Sequence, residues 1–220
     1  MCQRTLAQNP NSERDEYFIL GTLDDYMGRL HDPRFKDRVD EYYHYEKSLA
    51  MRVDSLLKKT YPLMPLRLNA DKSRYDIYSA DIAAVFDEYY DFVPSGSSTM
   101  AREPILRGTL KKDIFKNNDE KLAFLSGAYA RYRQDVDTAY CIRIANSASK
   151  ARVCYEILKE LNCKASYQIL AYIPTGHAVY FHPTPRVAAY LKKYAGISDQ
   201  INKDMQLMTD SIMNAHRKKN

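Results

Sequence analysis

Two nonapeptides, FILGTLDDY at residues 18–26 and FLSGAYARY at residues 124–132, decide how this chain folds. Each begins with phenylalanine, carries glycine at its fourth position and ends with tyrosine. Each also lies within an apolar segment of helical pattern. The matched glycines predict that the two helices, which contain Gly21 and Gly127, cross closely near the centre of the molecule.

The similarity continues along the chain in the same order. SLAMRVDSLLKKTY at residues 48–61 parallels SKARVCYEILKELN at residues 149–162, and SADIAAVFDEYY at residues 79–90 parallels TPRVAAYLKKYA at residues 184–195. Any two amphipathic helices share such apolar spacing, so the shared order of three elements carries the inference. It indicates an internal duplication, whose copies pack around a pseudo-twofold axis.

Turn and strand signals between the helices predict an α+β fold. Each copy reads as helix, strand region, helix, hairpin and helix, which predicts two tandem αββαββα-like repeats and a C-terminal helix. The C-terminal helix is amphipathic, ends in a basic tail and is predicted to pack on its own domain. The predicted segments are a first repeat at 15–92, a Pro-, Gly- and Ser-containing linker at 93–117, a second repeat at 118–196 and the C-terminal helix at 197–220.

Local patterns give two finer predictions in the first repeat. Alternation in RVDEYYHYE at residues 38–46 predicts a strand with Val39, Glu41, Tyr43 and Tyr45 on one face. Ser79 or Asp81 is placed to cap the following helix.

Composition indicates a soluble globular chain with an uneven charge distribution. The 220 residues are 45% hydrophobic and 28% charged, with a net charge of +5. Residues 1–93 hold 13 basic and 17 acidic residues, whereas residues 94–220 hold 20 and 11. An anionic partner is therefore expected at the second half, although an ordinary solvated basic surface has the same composition.

Several classes of site and location lack support in the sequence. The four cysteines form no CxxC pair and no zinc-binding pattern with histidines, and nothing requires a disulfide. No apolar run has the length of a membrane span, so no membrane partner is expected. We expect a cytoplasmic monomer without a cofactor, with export as the alternative if the true start lies upstream.

The order of elements and the two nonapeptides resemble the LAGLIDADG homing-endonuclease family. In that family the motif helices cross at the pseudo-twofold axis, and short strands form a saddle over DNA. The resemblance covers most of residues 15–196 and is a match of pattern rather than of motif identity.

The resemblance also locates the positions where catalysis would require acids. With Gly21 and Gly127 aligned on the motif glycine, Tyr26 and Tyr132 occupy the positions of the metal-binding acids. A tyrosine is a poor metal ligand at neutral pH because its phenol stays protonated. The resemblance therefore implies a degenerate member that binds nucleic acid without a metal centre, as in maturases and regulators.

The preferred function is non-catalytic binding of DNA or structured RNA through the strand saddle, the choice between the two being open. A structural or protein-interaction module is the alternative, and an active metal-dependent endonuclease is the least favoured hypothesis. In the first repeat, Asp71 and Asp76 lie among the basic candidate residues and reduce the positive charge available to a nucleic acid. The nucleic-acid-binding candidates are Arg67, Lys72, Arg74, Arg143, Lys164 and Gln168.

Overall fold

The computed structural model describes residues 10–71, 73–97, 103–136 and 139–217. Its first half contains, in chain order, helix α1 (Pro10–Thr22), strands β1 (Arg29–His31) and β2 (Arg38–Tyr43), helix α2 (Lys47–Thr60), strands β3 (Arg67–Ala70) and β4 (Arg74–Tyr78), helix α3 (Ala80–Asp87) and strands β5 (Tyr90–Ser97) and β6 (Pro104–Leu110). The second half contains α4 (Asn118–Tyr132), β7 (Tyr140–Ala145), α5 (Ala148–Glu160), β8 (Lys164–Leu170), β9 (Gly176–His182), α6 (Pro185–Lys192) and α7 (Ala195–Arg217).

The two repeats build equivalent sheets. The strand order is β2-β4-β3 in the first and β7-β9-β8 in the second, antiparallel throughout. In both, the central strand is the second strand of the predicted hairpin. The α+β class with two related halves and a C-terminal helix is confirmed.

The first repeat has one more strand before its second helix than the second repeat has. Strand β1 is not part of the β2-β4-β3 sheet but pairs with β6. The corresponding part of the second repeat makes a single antiparallel β-bridge, between Arg133 and Ile142. The αββαββα order is thus complete in the first repeat. The described part of the second repeat has a single strand between α4 and α5.

The prediction of a linker at 93–117 is wrong over much of its length. Strands β5 and β6 form an antiparallel hairpin there, and with β1 they make a third sheet in the order β1-β6-β5. Pro94 is tolerated because β5 is an edge strand and its register shifts between Pro94 and Gly96. Residues that signal a loop locally are thus accommodated at a sheet edge.

The predicted face of β2 is also wrong. The strand buries Val39, Asp40 and Tyr42, while Tyr43 is 62% exposed. The register of β2 against β4 shifts between Arg38 and Asp40, and this bulge places two consecutive side chains inward and inverts the alternation that follows. In the same repeat, Ser79 caps α3 as predicted, because its hydroxyl accepts the backbone N–H of Ile82.

One hydrophobic core joins the two repeats. It includes Phe18 and Leu20 of α1, Phe124 and Leu125 of α4, and residues of all the helices that flank them. Helix α7 packs by its first turns, where Ser198 and Ile201 are buried, against α4 and α6 and also against α2 of the first repeat. The prediction that this helix packs on the second repeat alone is therefore too narrow. Of the basic tail HRKKN at 216–220, residues 218–220 lie outside the described residues.

Candidate nucleic-acid interface

The central helices α1 and α4 touch through backbone. A Cβ atom added at Gly21 would lie 2.1 Å from the carbonyl oxygen of Phe124, and one added at Gly127 would lie 2.0 Å from that of Phe18. Phe18 and Phe124 occupy the same position of the two nonapeptides, so the contacts are reciprocal. Reciprocal contacts of this kind are those of a pseudo-twofold axis between the helices.

A second reciprocal pair joins the end of each central helix to the other repeat. Arg131, at the end of α4, donates from Nε to Oε1 of Glu46 over 2.9 Å. Asp25, at the equivalent position after α1, accepts a hydrogen bond from the hydroxyl of Ser147. Because Glu46 and Ser147 both directly precede the second helix of their repeat, the geometry is symmetric while the charges are not.

The Arg131 guanidinium is buried, with a side-chain exposure of 3%, and fully hydrogen-bonded. Its Nη1 donates to Asp40 Oδ2 at 3.0 Å and to the carbonyl of Thr22 at 2.7 Å. Its Nη2 donates to the carbonyl of Glu41 at 2.6 Å and to Glu46 Oε2 at 3.1 Å. With the Nε bond, five N–H groups meet five acceptors, which is all that a guanidinium donates. The neighbouring carboxylates keep the pKa of Arg131 well above its ordinary value despite burial.

A second buried cation lies at the end of α1. The Lys150 side chain is inaccessible to solvent, and its ammonium donates to the carbonyls of Leu20, Gly21 and Leu23. These carbonyls lie at the C-terminal end of α1, where the helix dipole favours positive charge. Burial lowers the pKa of Lys150, and the carboxylate of Asp25 opposes that effect.

The two tyrosines at the motif-acid positions differ in environment. Tyr132 donates its hydroxyl to the carbonyl of Leu23 at 2.9 Å, and burial holds its pKa well above 10. Tyr26 is 47% exposed and lines a groove between the two repeats with Asp24 and Tyr43. Within the described residues, no group of three or more His, Cys, Asp or Glu side chains is arranged to hold a metal ion.

Asp25 is a buried carboxyl, and only one of its two oxygens accepts hydrogen bonds from the described residues. Its Oδ2 accepts from Ser147 and, at 3.4 Å, from Ser149, while no partner for Oδ1 lies in the part of the chain that the structure describes. Burial raises the pKa of Asp25 to about 6 from an ordinary 3.8. The half-buried Asp24 beside it also has a raised pKa, chiefly through burial.

We expect Asp25→Asn to stabilise the protein at neutral pH by about 1–2 kcal/mol. A carboxyl whose pKa is higher in the folded state stabilises the fold when protonated, and this stabilisation is lost as pH rises through the folded pKa. The variant and the original protein should therefore unfold alike below about pH 4, and the gap should open towards pH 6. Urea unfolding across this range measures the gap; a pH-independent gap would show that ionisation of Asp25 is not its cause.

The outer face of the β7-β9-β8 sheet brings three of the predicted binding residues together. Ile142, Ile144 and Val179 point into the core, so the alternate residues of the same strands point outward. Arg143 and Gln168 lie in one row, on either side of Ala178, and Lys164 lies on the same face opposite His182. These three strands contain no Asp or Glu.

Arg143 is held by neutral neighbours. Its Nη1 donates to Gln134 Oε1 at 3.1 Å, and its guanidinium carbon lies 5.0 Å from the ring centroid of Tyr172. Neither contact neutralises the charge, so Arg143 remains available to an anion.

The basic candidates of the first repeat are in a different electrostatic setting. Arg74 donates to Glu41 Oε2 at 2.9 Å, and the same oxygen accepts a hydrogen bond from Nη1 of Arg38 at 2.7 Å. Arg67 lies over the ring of Tyr78 at 4.9 Å. The outer face of the β2-β4-β3 sheet thus interleaves cations with carboxylates. Lys72 lies outside the described residues.

Comparison with known proteins supports the fold through structure alone. No family model matches the chain, and no curated protein sequence matches it either. Among solved structures, the homing endonuclease I-DmoI in complex with DNA and Ca superposes with a TM-score of 0.56 at 13% identity, over 81% of this chain and 97% of that one. Mesophilic variants of I-DmoI give 0.57 at 14% identity, over 87% and 96%.

The protein has a LAGLIDADG-like fold. Full-length DUF199/WhiA from Thermatoga maritima is a further structural neighbour, with a TM-score of 0.51 at 15% identity over 96% of this chain and 69% of that one. At these identities the likeness shows a shared fold and leaves activity to be argued from the residues. The resemblance found in the two nonapeptides is thereby confirmed at the level of fold.

Sequence reasoning missed the two buried cations of the LAGLIDADG-like core. Lys150 corresponds to Leu49 when the sequences of the second helices of the repeats are aligned, so a lysine stands where the other repeat has a core leucine. Arg131 aligns with Asp25. Two sequence signals pointed to these cations. Lys150 is a charged residue where the other repeat has an apolar one, and Arg131 has the opposite charge to its counterpart Asp25.

Proposed function

We propose that this protein binds nucleic acid through the outer face of the β7-β9-β8 sheet and does not cleave it. The observation that carries the proposal is the pair Arg143 and Lys164 on a sheet face whose strands contain no carboxylate. Phosphate groups are bound chiefly by such side chains, and contacts with them supply most of the sequence-independent affinity. A structural neighbour, I-DmoI, is itself known in complex with DNA.

The ends of the central helices support binding without cleavage. Metal-assisted cleavage of a phosphodiester needs carboxylate oxygens that hold the cation beside the scissile group. Tyr26 and Tyr132 stand at the motif-acid positions, and Asp40 and Glu46 already face the guanidinium of Arg131. An internal cation therefore neutralises these two carboxylates without a metal ion.

The first sheet is proposed as a weaker part of the interface. Arg74 is engaged by Glu41 and would have to release that carboxylate before it could bind phosphate. Arg67 remains a candidate because it lies over the ring of Tyr78, which does not neutralise its charge. The second sheet is therefore expected to dominate affinity.

A salt titration of affinity tests the proposal. Arg143→Ala and Lys164→Ala should each weaken binding to duplex DNA and to structured RNA about equally across sequences, since phosphate contacts do not specify sequence. Each change should lower the slope of log affinity against log salt by roughly one unit. Lys159→Ala is the matched control, because it removes one exposed charge from α5 on the other layer.

Two outcomes would contradict the proposal. The first is the absence of binding to either nucleic acid at low salt. The second is an equal loss of slope in the Lys159 control, which would indicate a general charge effect. The melting temperatures of all three variants should stay near that of the original protein, because exposed charges contribute little to stability.

A protein-interaction role is the second candidate, and the end of α7 favours it. Beyond Ile201 the helix leaves the core, and Met205, Met208 and Ile212 lie on one helical stripe with 42%, 41% and 50% exposure. An exposed apolar stripe is a feature of helices that meet a partner. If neither duplex DNA nor structured RNA binds at low salt, the protein-interaction role becomes the better account. Among the described residues, no helix has the length and apolar character needed to cross a membrane.

A further inference from the structure

A cleft of about 330 Å³ lies between the third sheet and the start of α5. Three cationic side chains from different parts of the chain line it: Arg107 of β6, Lys112 just after β6 and Arg152 of α5. The hydroxyl residues Thr109 and Ser149 complete the polar lining. None of these five residues belongs to the outer face of the β7-β9-β8 sheet, so this is a separate surface.

The charge of the cleft is not balanced locally. None of the residues that line the cleft is an Asp or Glu. Lys111, next to the cleft, forms a salt bridge with Asp91. Among the described residues, no salt bridge involves Arg107, Lys112 or Arg152. The buried Asp25 lies behind Ser147 at the first turn of α5, and the charge of Lys150 opposes its own. Mutual repulsion of three cations favours an anion between them.

Arg107 provides an independent sign of a missing partner. Its Nε atom is buried and has no hydrogen-bond acceptor among the described residues. Buried donors in folded proteins are almost always paired with protein, water or a ligand. An oxyanion in the cleft would supply the acceptor.

The first turn of α5 adds backbone donors to the same cleft. Ser147 is the N-cap residue, yet its hydroxyl makes no capping bond because it donates to Asp25. The first backbone N–H groups of α5 therefore lack this side-chain acceptor, and Ala148 and Ser149 of that turn line the cleft. Free N–H groups at the start of a helix favour an anion.

We infer that this cleft binds a phosphate group, held by Arg107, Lys112 and Arg152 with the start of α5. The phosphate belongs either to a nucleic-acid backbone that extends beyond the sheet face or to a free phosphorylated molecule. Both sources present the same oxyanion to the same cations. The inference does not depend on the sheet interface, because no residue is shared between the two.

Calorimetric titration with inorganic pyrophosphate at low ionic strength tests the inference. Arg152→Glu and Lys112→Glu are the chosen variants because both side chains are exposed, so the fold should be retained. Each should weaken pyrophosphate binding about tenfold or more, the usual effect of losing one charge-assisted contact and adding repulsion. Lys159→Glu makes the same charge change outside the cleft and should leave binding within about twofold.

A competition experiment then separates the two sources. If pyrophosphate displaces bound DNA or RNA, and Arg152→Glu weakens both ligands, the phosphate is that of the backbone. If pyrophosphate binds without displacing nucleic acid, the site takes a free phosphorylated molecule. Both results support a phosphate site. Absence of pyrophosphate binding, or equal weakening by Lys159→Glu, would overturn it, whereas failure of the sheet proposal alone would leave it standing.

Discussion

Gly127→Ala should destabilise the protein by about 3 kcal/mol or more, because the new methyl group has no space to occupy. At Gly127 the added Cβ would lie 2.0 Å from the backbone carbonyl of Phe18, and at Gly21 the equivalent atom would lie 2.1 Å from that of Phe124. A rotamer change cannot relieve a clash with backbone, so α1 and α4 must move apart. Moving them opens the core that the two repeats share.

Gly196→Ala is the matched control for that measurement. Gly196 lies in α7, and a Cβ added there would meet no atom within 4 Å. Alanine in an exposed helical position is expected to stabilise by up to about 1 kcal/mol relative to glycine. Equilibrium denaturation of both variants measures the difference. A Gly127→Ala protein as stable as the control would contradict the close crossing of α1 and α4.

Arg131→Met should destabilise the protein by about 3–5 kcal/mol, the usual cost of removing one partner from a buried ion pair. Methionine retains much of the side-chain volume, so the loss reports mainly the uncompensated carboxylates of Asp40 and Glu46. Arg133→Met is the control: its partners Asp135 and Asp199 are 64% and 62% exposed, and exposed pairs contribute about 1 kcal/mol at most.

The pH dependence of the Arg131→Met variant distinguishes lost charge from lost packing. Burial already raises the pKa of Glu46 above its ordinary value, and Arg131 opposes that effect. Without the guanidinium the folded-state pKa rises further, so protonation stabilises the folded variant at acid pH and that stabilisation is lost as pH rises. The deficit should therefore shrink when the pH is lowered. A deficit that is the same at acid and neutral pH would indicate packing instead.

The two repeats contribute opposite charges at the molecular centre. The first supplies Asp25, Asp40 and Glu46, and the second supplies Arg131 and Lys150. This division follows the charge difference between the halves of the sequence. A carboxylate at position 131 would be repelled by Asp40 and Glu46, whereas the guanidinium of Arg131 is attracted to both and so links the two repeats.

The parts of the fold that the sequence predicts are those with a repeated local signal. The nonapeptides, the amphipathic second helices and the hairpins occur twice, so each copy supports the other. Strands β5 and β6 occur once and consist of residues with loop propensity, and only their pairing with each other and with β1 shows them as strands. Long-range pairing of this kind leaves little trace in local composition.

The candidate site, like the fold, was predicted only where its residues follow from local sequence. Arg143, Lys164 and Gln168 are polar residues in or beside strands rich in apolar residues, which is a local signal, and all three lie on one outer face. The bulge at Arg38–Asp40 is set by pairing with β4 and is silent in the sequence of β2. The acceptors around Arg131 come from residues far away along the chain, so its full hydrogen bonding follows only from the tertiary structure.

Photo-cross-linking from the sheet face tests the central claim most directly. A photoreactive side chain at Gln168 lies in the row of Arg143 on the proposed interface, whereas one at Ser55 lies on the exposed side of α2. With duplex DNA or structured RNA bound at low salt, we expect cross-links from position 168 and none from position 55. Bound nucleic acid that cross-links from position 55 and not from position 168 would contradict the claim.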